Sequence, residues 1–148
     1  MVIDTSALCA VLFGEPDSPS FIDALAKPGR KIMSALTRLE SSIVIEARKG
    51  ESGARALAGL LAATGTEVIA FDAGQAEIAL DAWRRYGKGR HPAALNMGDC
   101  ASYALAMLVN DTLLFKGTGF ALTDVAPEIR PDRCLEAVLE SRLVHEDF

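Results

Sequence analysis

The sequence predicts an α/β domain in which a short parallel sheet is flanked by helices. Short β-branched or apolar runs alternate with longer segments whose apolar residues recur at helical spacing, the pattern of strands joined by crossover helices. The 148 residues contain neither an internal repeat nor a linker long enough to divide them. With 50% hydrophobic and 24% charged residues, one domain of this size buries roughly two-thirds of the surface of its unfolded chain.

The elements follow in order. Residues 1–4 form a first strand. Residues 6–14 read as a helix with Leu8, Val11 and Leu12 on one face and Gly14 at the C-terminal stop. A second helix covers about 18–26 and ends at Pro28-Gly29, and 31–34 is the second strand. Residues 35–49 form a helix with Leu36, Leu39, Ile43 and Ala47 on one stripe, closed by Gly50; 52–63 is a further helix rich in Ala and Leu. The third strand spans 67–71, and 73–86 is helical with Ile78, Leu80, Ala82 and Trp83. Residues 87–98 are irregular, of a length usually kept for a working loop. Asp99 then opens a helix to about residue 109, and 113–115 is the last strand, with right-handed crossovers expected between parallel strands.

Composition excludes several classes. The longest nearly apolar stretch, 54–64, is interrupted by Arg55 and falls short of the ~20 residues of a membrane span. Asp4 follows Met1-Val2-Ile3 with no basic region, so no secretory signal is expected and the protein is placed in the cytoplasm. Cys9, Cys100 and Cys134 are odd in number and widely spaced, so they read as reduced small residues. The net charge of −5 and pI near 5.0 argue against holding nucleic acid by bulk charge, but not against reaching phosphate through metal ions.

Three acids fall where secondary structure changes. Asp4 ends the first strand, Glu40 lies one turn inside the third helix, and Asp99 begins the helix after the long loop. In an open α/β sheet ligands collect at the carboxyl ends of the strands. If the acids converge there, their mutual repulsion requires compensation. An all-oxygen set suits Mg²⁺ or Mn²⁺, and the missing His and Cys argue against zinc. The implied reaction is metal-assisted hydrolysis of a phosphodiester. Each acid also has a purely structural explanation: Asp4 and Asp99 suit helix N-caps, and Glu40 suits a solvated helix face.

Beside the acids, Lys88, Arg90 and His91 place positive charge in a loop opened by Gly87 and Gly89, and Lys116 leaves the last strand toward the same edge. Such side chains fix a nucleic-acid backbone without reading its sequence; the same loop also reads as a solvated basic segment. Trp83, Tyr86 and Tyr103 offer rings for base stacking, although their helical spacing favours packing in the core.

Met1 to Ala7, Glu40 in an apolar helix, the run from Tyr86 through Gly87-Lys88-Gly89-Arg90-His91-Pro92 to Asp99-Cys100, and Leu113 to Gly117 together resemble the PIN-domain ribonucleases, specifically the VapC-type toxins of bacterial toxin–antitoxin pairs. The resemblance covers residues 1–124. It implies a three-layer α/β/α PIN-like fold with a short central parallel sheet, and Mg²⁺- or Mn²⁺-dependent endoribonuclease activity on RNA of the tRNA or rRNA class. Asp4, Glu40 and Asp99 match the family's metal-binding acids. A homodimer and a cognate VapB-type antitoxin are implied partners.

One departure stands out. After Lys116-Gly117 such proteins commonly carry Asp before a Phe, whereas Thr118 and Gly119 precede Phe120 here. Thr118, Asp124 and Ser6 are the candidate supporting residues. The alternative this raises is a degenerate PIN domain that binds RNA or antitoxin with little or no cleavage. A phosphatase-like domain with Asp4 as nucleophile is disfavoured, because Ser6 stands where a second Asp would be wanted. Residues 125–148 form a C-terminal extension whose Cys134, Leu135, Val138 and Leu139 predict an amphipathic helix packed on the domain or a partner.

Overall fold

Adjacent residues of the strands divide between two cores. Val2, Ile32 and Leu113 point into one cluster; their neighbours Ile3, Met33 and Leu114 point into another. That period of two is what a strand buried on both faces must show. The structure, a computed structural model, describes residues 1–130. Its strands are β1 (Val2–Ile3), β2 (Ile32–Ser34), β3 (Glu67–Ile69) and β4 (Leu113–Leu114). All pair in parallel in the order β3-β2-β1-β4, with Val2 opposite both Ile32 and Leu113, and Met33 opposite Val68.

The helices are α1 (Thr5–Leu12), α2 (Ser18–Ala26), α3 (Ala35–Thr64), α4 (Ala73–Tyr86) and α5 (Met97–Val109). One face of the sheet packs on Ala7, Leu8, Phe21, Leu25, Ile45 and Leu57 of α1, α2 and α3. The opposite face packs on Ala79 and Ala82 of α4 and Tyr103, Ala104 and Leu105 of α5. This is the expected three-layer α/β/α arrangement, and β1 lies where the chain order reverses, between β2 and β4. No helix among the described residues is long and apolar enough to cross a membrane.

The two helices expected at 35–49 and 52–63 form one element broken at Gly50, whose φ of 62° and ψ of −154° lie outside helical space. Such a backbone is essentially restricted to glycine. The start of α5 corrects the sequence reading more substantially. Asn96 is the N-cap and Asp99 is the third helical residue; the Asn96 side chain accepts from Asp99 N at 2.8 Å, and the Asp99 carboxylate accepts from Asn96 N at 2.9 Å. This reciprocal capping box begins the helix at Met97, two residues before Asp99. Beyond β4, Ala126 and Glu128 hydrogen-bond the backbone of Leu113. The amphipathic helix expected further along the tail lies outside the described residues.

Candidate functional site

Asp4 is the residue after β1 and the N-cap of α1, and it is only 2% exposed. Its Oδ2 accepts from Ser6 N at 3.0 Å and Ser6 Oγ at 2.6 Å, and its Oδ1 accepts from Ser102 Oγ at 2.7 Å. The capping explanation is therefore correct as far as it goes. A cap bond uses one oxygen, however, and the second oxygen is taken by a hydroxyl from a different layer of the molecule. Ser6 Oγ also accepts from Lys116 N at 3.0 Å, which ties the exit of β4 to that of β1.

Glu40 is half-buried on the first part of α3. Its carboxyl lies directly on Gly98 of α5: a Cβ built on Gly98 would overlap the carboxyl group. Gly98 is the residue before Asp99, so α3 and α5 approach each other at the two acids. Electrostatics bring in the third. Burial raises the Asp99 carboxyl to about 6; the hydrogen bond from Asn96 opposes the rise, and the charges of Asp4 and Glu40 add to it. Cys9 senses the same charges. Its thiol is pushed up to about 11, by burial first and then by Asp4, Glu15 and Glu40, and it stays protonated at neutral pH. Burial and Asp99 raise Cys100 to about 11 as well, so neither thiol is a candidate ligand.

The three acids share one end of the sheet. None of the ion pairs among the described residues includes Asp4, Glu40 or Asp99. Nor do three His, Cys, Asp or Glu side chains form a ready coordination cluster among those residues. The acids are neighbours coupled by charge without a protein counter-ion. Their oxygen donors and excess negative charge fit a hard divalent cation.

The other sequence candidates divide. Lys116 turns toward the α1–α2 turn, where its Nζ contacts Glu15 and lies 2.9 Å from Asp17 Oδ1. Asp124 accepts from Tyr103 Oη at 2.6 Å and pairs with Arg85 at 3.1 Å. Thr118 is exposed, and its hydroxyl has no hydrogen-bond partner among the described residues. Gly119 cannot gain a side chain unless the backbone moves, because a Cβ there would stand 2.9 Å from Ala93 O.

The basic loop closes on itself at its base: Leu95 N donates to Tyr86 O at 2.9 Å and Lys88 N to Leu95 O at 3.0 Å. Its root therefore adjoins Asn96, the cap of the helix that carries Asp99. The Arg90 guanidinium lies 4.6 Å from the centre of the Trp83 ring, and its Nε donates to Arg84 O at 3.3 Å. His91 packs edge-on against Tyr86 and accepts from Ala93 N through Nδ1. Lys88 is exposed. Tyr103 is buried with its hydroxyl committed to Asp124, which leaves Trp83 as the ring with open surface.

A model of the PIN domain matches residues 1–126. The chain belongs to the PIN-domain family. Within it the similarity is to VapC proteins. A Ribonuclease VapC of Mycolicibacterium smegmatis is 53% identical over 126 residues, covering 85% of this chain and 98% of its own length. Among solved structures, Mycobacterium tuberculosis VapC20, described as a Sarcin-Ricin loop cleaving toxin, superposes with a TM-score of 0.72 at 21% identity, covering 88% of this chain and 98% of that one. A toxin–antitoxin complex from Klebsiella pneumoniae gives a TM-score of 0.64 at 20% identity, with 88% and 98% covered.

Sequence reasoning missed two residues that touch the acids of this candidate site. Gly98 read as the last residue of the irregular loop 87–98, although a glycine just before a helix acid is the available signal for a close approach. Ser102 lies three residues after Asp99 and therefore on the same helix face, a spacing that could have drawn attention to it.

Proposed function

We propose that this protein is a divalent-metal-dependent endoribonuclease, the toxin of a VapBC-type pair, acting in the cytoplasm on RNA of the tRNA or rRNA class. The observation that carries the reading is the junction of β1, α3 and α5, where three acids lie close together without a protein cation and burial, with the charges of Asp4 and Glu40 adding to it, raises the Asp99 carboxyl to about 6. The ribonuclease name of the 53% identical relative supports the same activity.

Asp4, Glu40 and Asp99 would hold Mg²⁺ or Mn²⁺. The chemistry such an ion supplies when bound is acidification of water and screening of the charge that grows on phosphoryl oxygens. The protein does the rest. Ser6 orients Asp4 and fixes the β4 exit beside it. Lys88, Arg90 and His91 belong to the loop that leads into the helix carrying Asp99 and would supply positive charge to the RNA backbone, and Arg90 is held by Trp83 and the Arg84 carbonyl. Lys116 is already neutralised by Glu15 and Asp17, so its contribution to phosphate binding depends on release from them. Thr118 and Asp124 have supporting roles at most: the first is exposed and the second serves Arg85 and Tyr103. The reading therefore depends on three carboxylates and not on a fourth.

Two partners accompany the activity. A VapB-type antitoxin is supported by the toxin–antitoxin complex among the structural neighbours. A homodimer is supported by exposed Leu39, Ile43, Val44 and Met97 around an apolar groove beside Glu40. The test is cleavage of a structured RNA with Mg²⁺ or Mn²⁺. We expect activity to vanish with chelator and to fall at least about a hundredfold in Asp4→Ala and Asp99→Ala. Unchanged cleavage in both variants rejects the assignment.

A further inference from the structure

The hydroxyls beneath the acids form a directed chain. Ser102 is fully buried, and its Oγ lies 2.7 Å from Asp4 Oδ1 and 3.0 Å from Thr37 Oγ1. A serine has one proton to give, and an ionised carboxylate can only accept. Ser102 therefore donates its proton to Asp4, and Thr37 must be the donor in the Thr37–Ser102 bond. Thr37 is itself only 1% exposed, so it has no access to bulk water as an alternative partner. The backbone carbonyl of Thr37 accepts from Ser41 Oγ at 2.8 Å, which anchors the same turn of α3.

The geometry repeats on two helices. Thr37 and Glu40 are three residues apart on α3, and Asp99 and Ser102 are three apart on α5, so each helix presents one acid and one hydroxyl on a shared face. The two hydroxyls meet each other and deliver their donor capacity to the acid that follows β1. We infer that Ser102, backed by Thr37, is a positioning residue for Asp4: the relay fixes the rotation of the carboxylate, so that its remaining lone pairs would face a bound cation. Ser6 constrains Oδ2 alone, and without Ser102 the Oδ1 oxygen has no protein donor among the described residues. Partners one step removed from a metal commonly change its affinity by about 10- to 100-fold.

This inference rests on the metal-dependent reading, and the experiment separates the two. Mn²⁺ affinity of the full-length protein would be measured by electron paramagnetic resonance or calorimetry for the wild type, Ser102→Ala, Thr37→Val and Asp4→Ala, with thermal melting of each metal-free protein as the check on folding. We expect Ser102→Ala to weaken Mn²⁺ binding about tenfold, and Thr37→Val to weaken it by a smaller factor at a temperature where both remain folded. Ser102→Cys, which keeps the volume class with a weaker donor, should fall between wild type and Ser102→Ala. It also serves as the reporter if the alanine variant does not fold. Wild-type affinity in both Ser102 variants, with loss in Asp4→Ala, overturns the positioning role and leaves the metal site standing. Absence of Mn²⁺ binding by the wild type overturns both.

Discussion

Replacing Asp99 with Asn should remove activity and at the same time stabilise the metal-free protein. The wild-type carboxyl is raised from 3.8 to about 6, by burial first and with Asp4 and Glu40 adding to the rise. About two pKa units correspond to at most ~3 kcal/mol, and solvent screening of a half-buried group reduces this to about 1–2 kcal/mol. A raised carboxyl pKa means that the folded state holds its proton more tightly than the unfolded state. The penalty is therefore absent below 3.8, develops as pH rises toward about 6, and is complete above it. An Asn side chain keeps the oxygen that accepts from Asn96 N, so the capping box survives. Differential scanning calorimetry in chelator should give Asp99→Asn a Tm about 2–8 °C above wild type at pH 7.5, with the gap closing toward pH 4. Saturating Mg²⁺ should reverse the order by stabilising the wild type alone. A variant less stable than wild type at pH 7.5 in chelator, or a gap that does not change with pH, would refute the raised Asp99 carboxyl on which the reasoning rests.

Gly98→Ala should preserve the fold, since alanine is the better helix former by up to about 1 kcal/mol, yet the new methyl displaces the Glu40 carboxyl; cleavage should drop at least tenfold with Tm within a few degrees of wild type, as read by RNA gel and melting. Arg90→Ala and Lys88→Ala should weaken binding of RNA to the inactive Asp99→Asn protein, and a side chain that neutralises one phosphate should, when removed, reduce the salt slope by about 0.7 in a fluorescence-anisotropy titration. Lys116→Ala should change that slope much less, because Glu15 and Asp17 already occupy the ammonium. Gly50→Ala should destabilise by about 1–3 kcal/mol in urea denaturation, since its φ of 62° with ψ of −154° excludes a Cβ at ordinary cost.

The strands and helices are legible because their periods are unmixed. The short, wholly apolar runs Val2-Ile3 and Ile32-Met33, and the helical spacing of Leu36, Leu39 and Ile43, are each readable without coordinates, whereas the division of the strand residues between two cores is not. Asp4 is legible because it ends the first strand, and Glu40 because it lies one turn inside the helix that follows the second strand. What escapes is set by tertiary approach. The onset of α5 is displaced in the sequence reading because the glycine and proline signals of residues 87–98 outweigh the Asn96-x-x-Asp99 box, which identifies the cap only once its reciprocal bonds are seen. Leu39 and Ile43 read as core residues from their spacing, yet they are 56% and 60% exposed, because α3 turns that stripe toward the groove beside Glu40. Ser102 is polar in a run of small apolar residues, and its partner lies 98 positions away. Asp124 is a candidate for the acidic site by its proximity to the last strand, but Arg85 and Tyr103 offer it closer partners from α4 and α5.

The allegiance of Val2 to one core and Ile3 to the other has a consequence for how the protein can vary. Sliding β1 by a single residue between its neighbours would exchange the two side chains between layers and, in the same movement, carry Asp4 about 3.3 Å along the strand axis, away from its companions. Packing error and chemical failure are thus a single event at this strand. Insertions or deletions within β1 should be purged by misfolding before any effect on the acids is felt, while the loop between α4 and α5, pinned only at its base, remains open to change between residues 88 and 94.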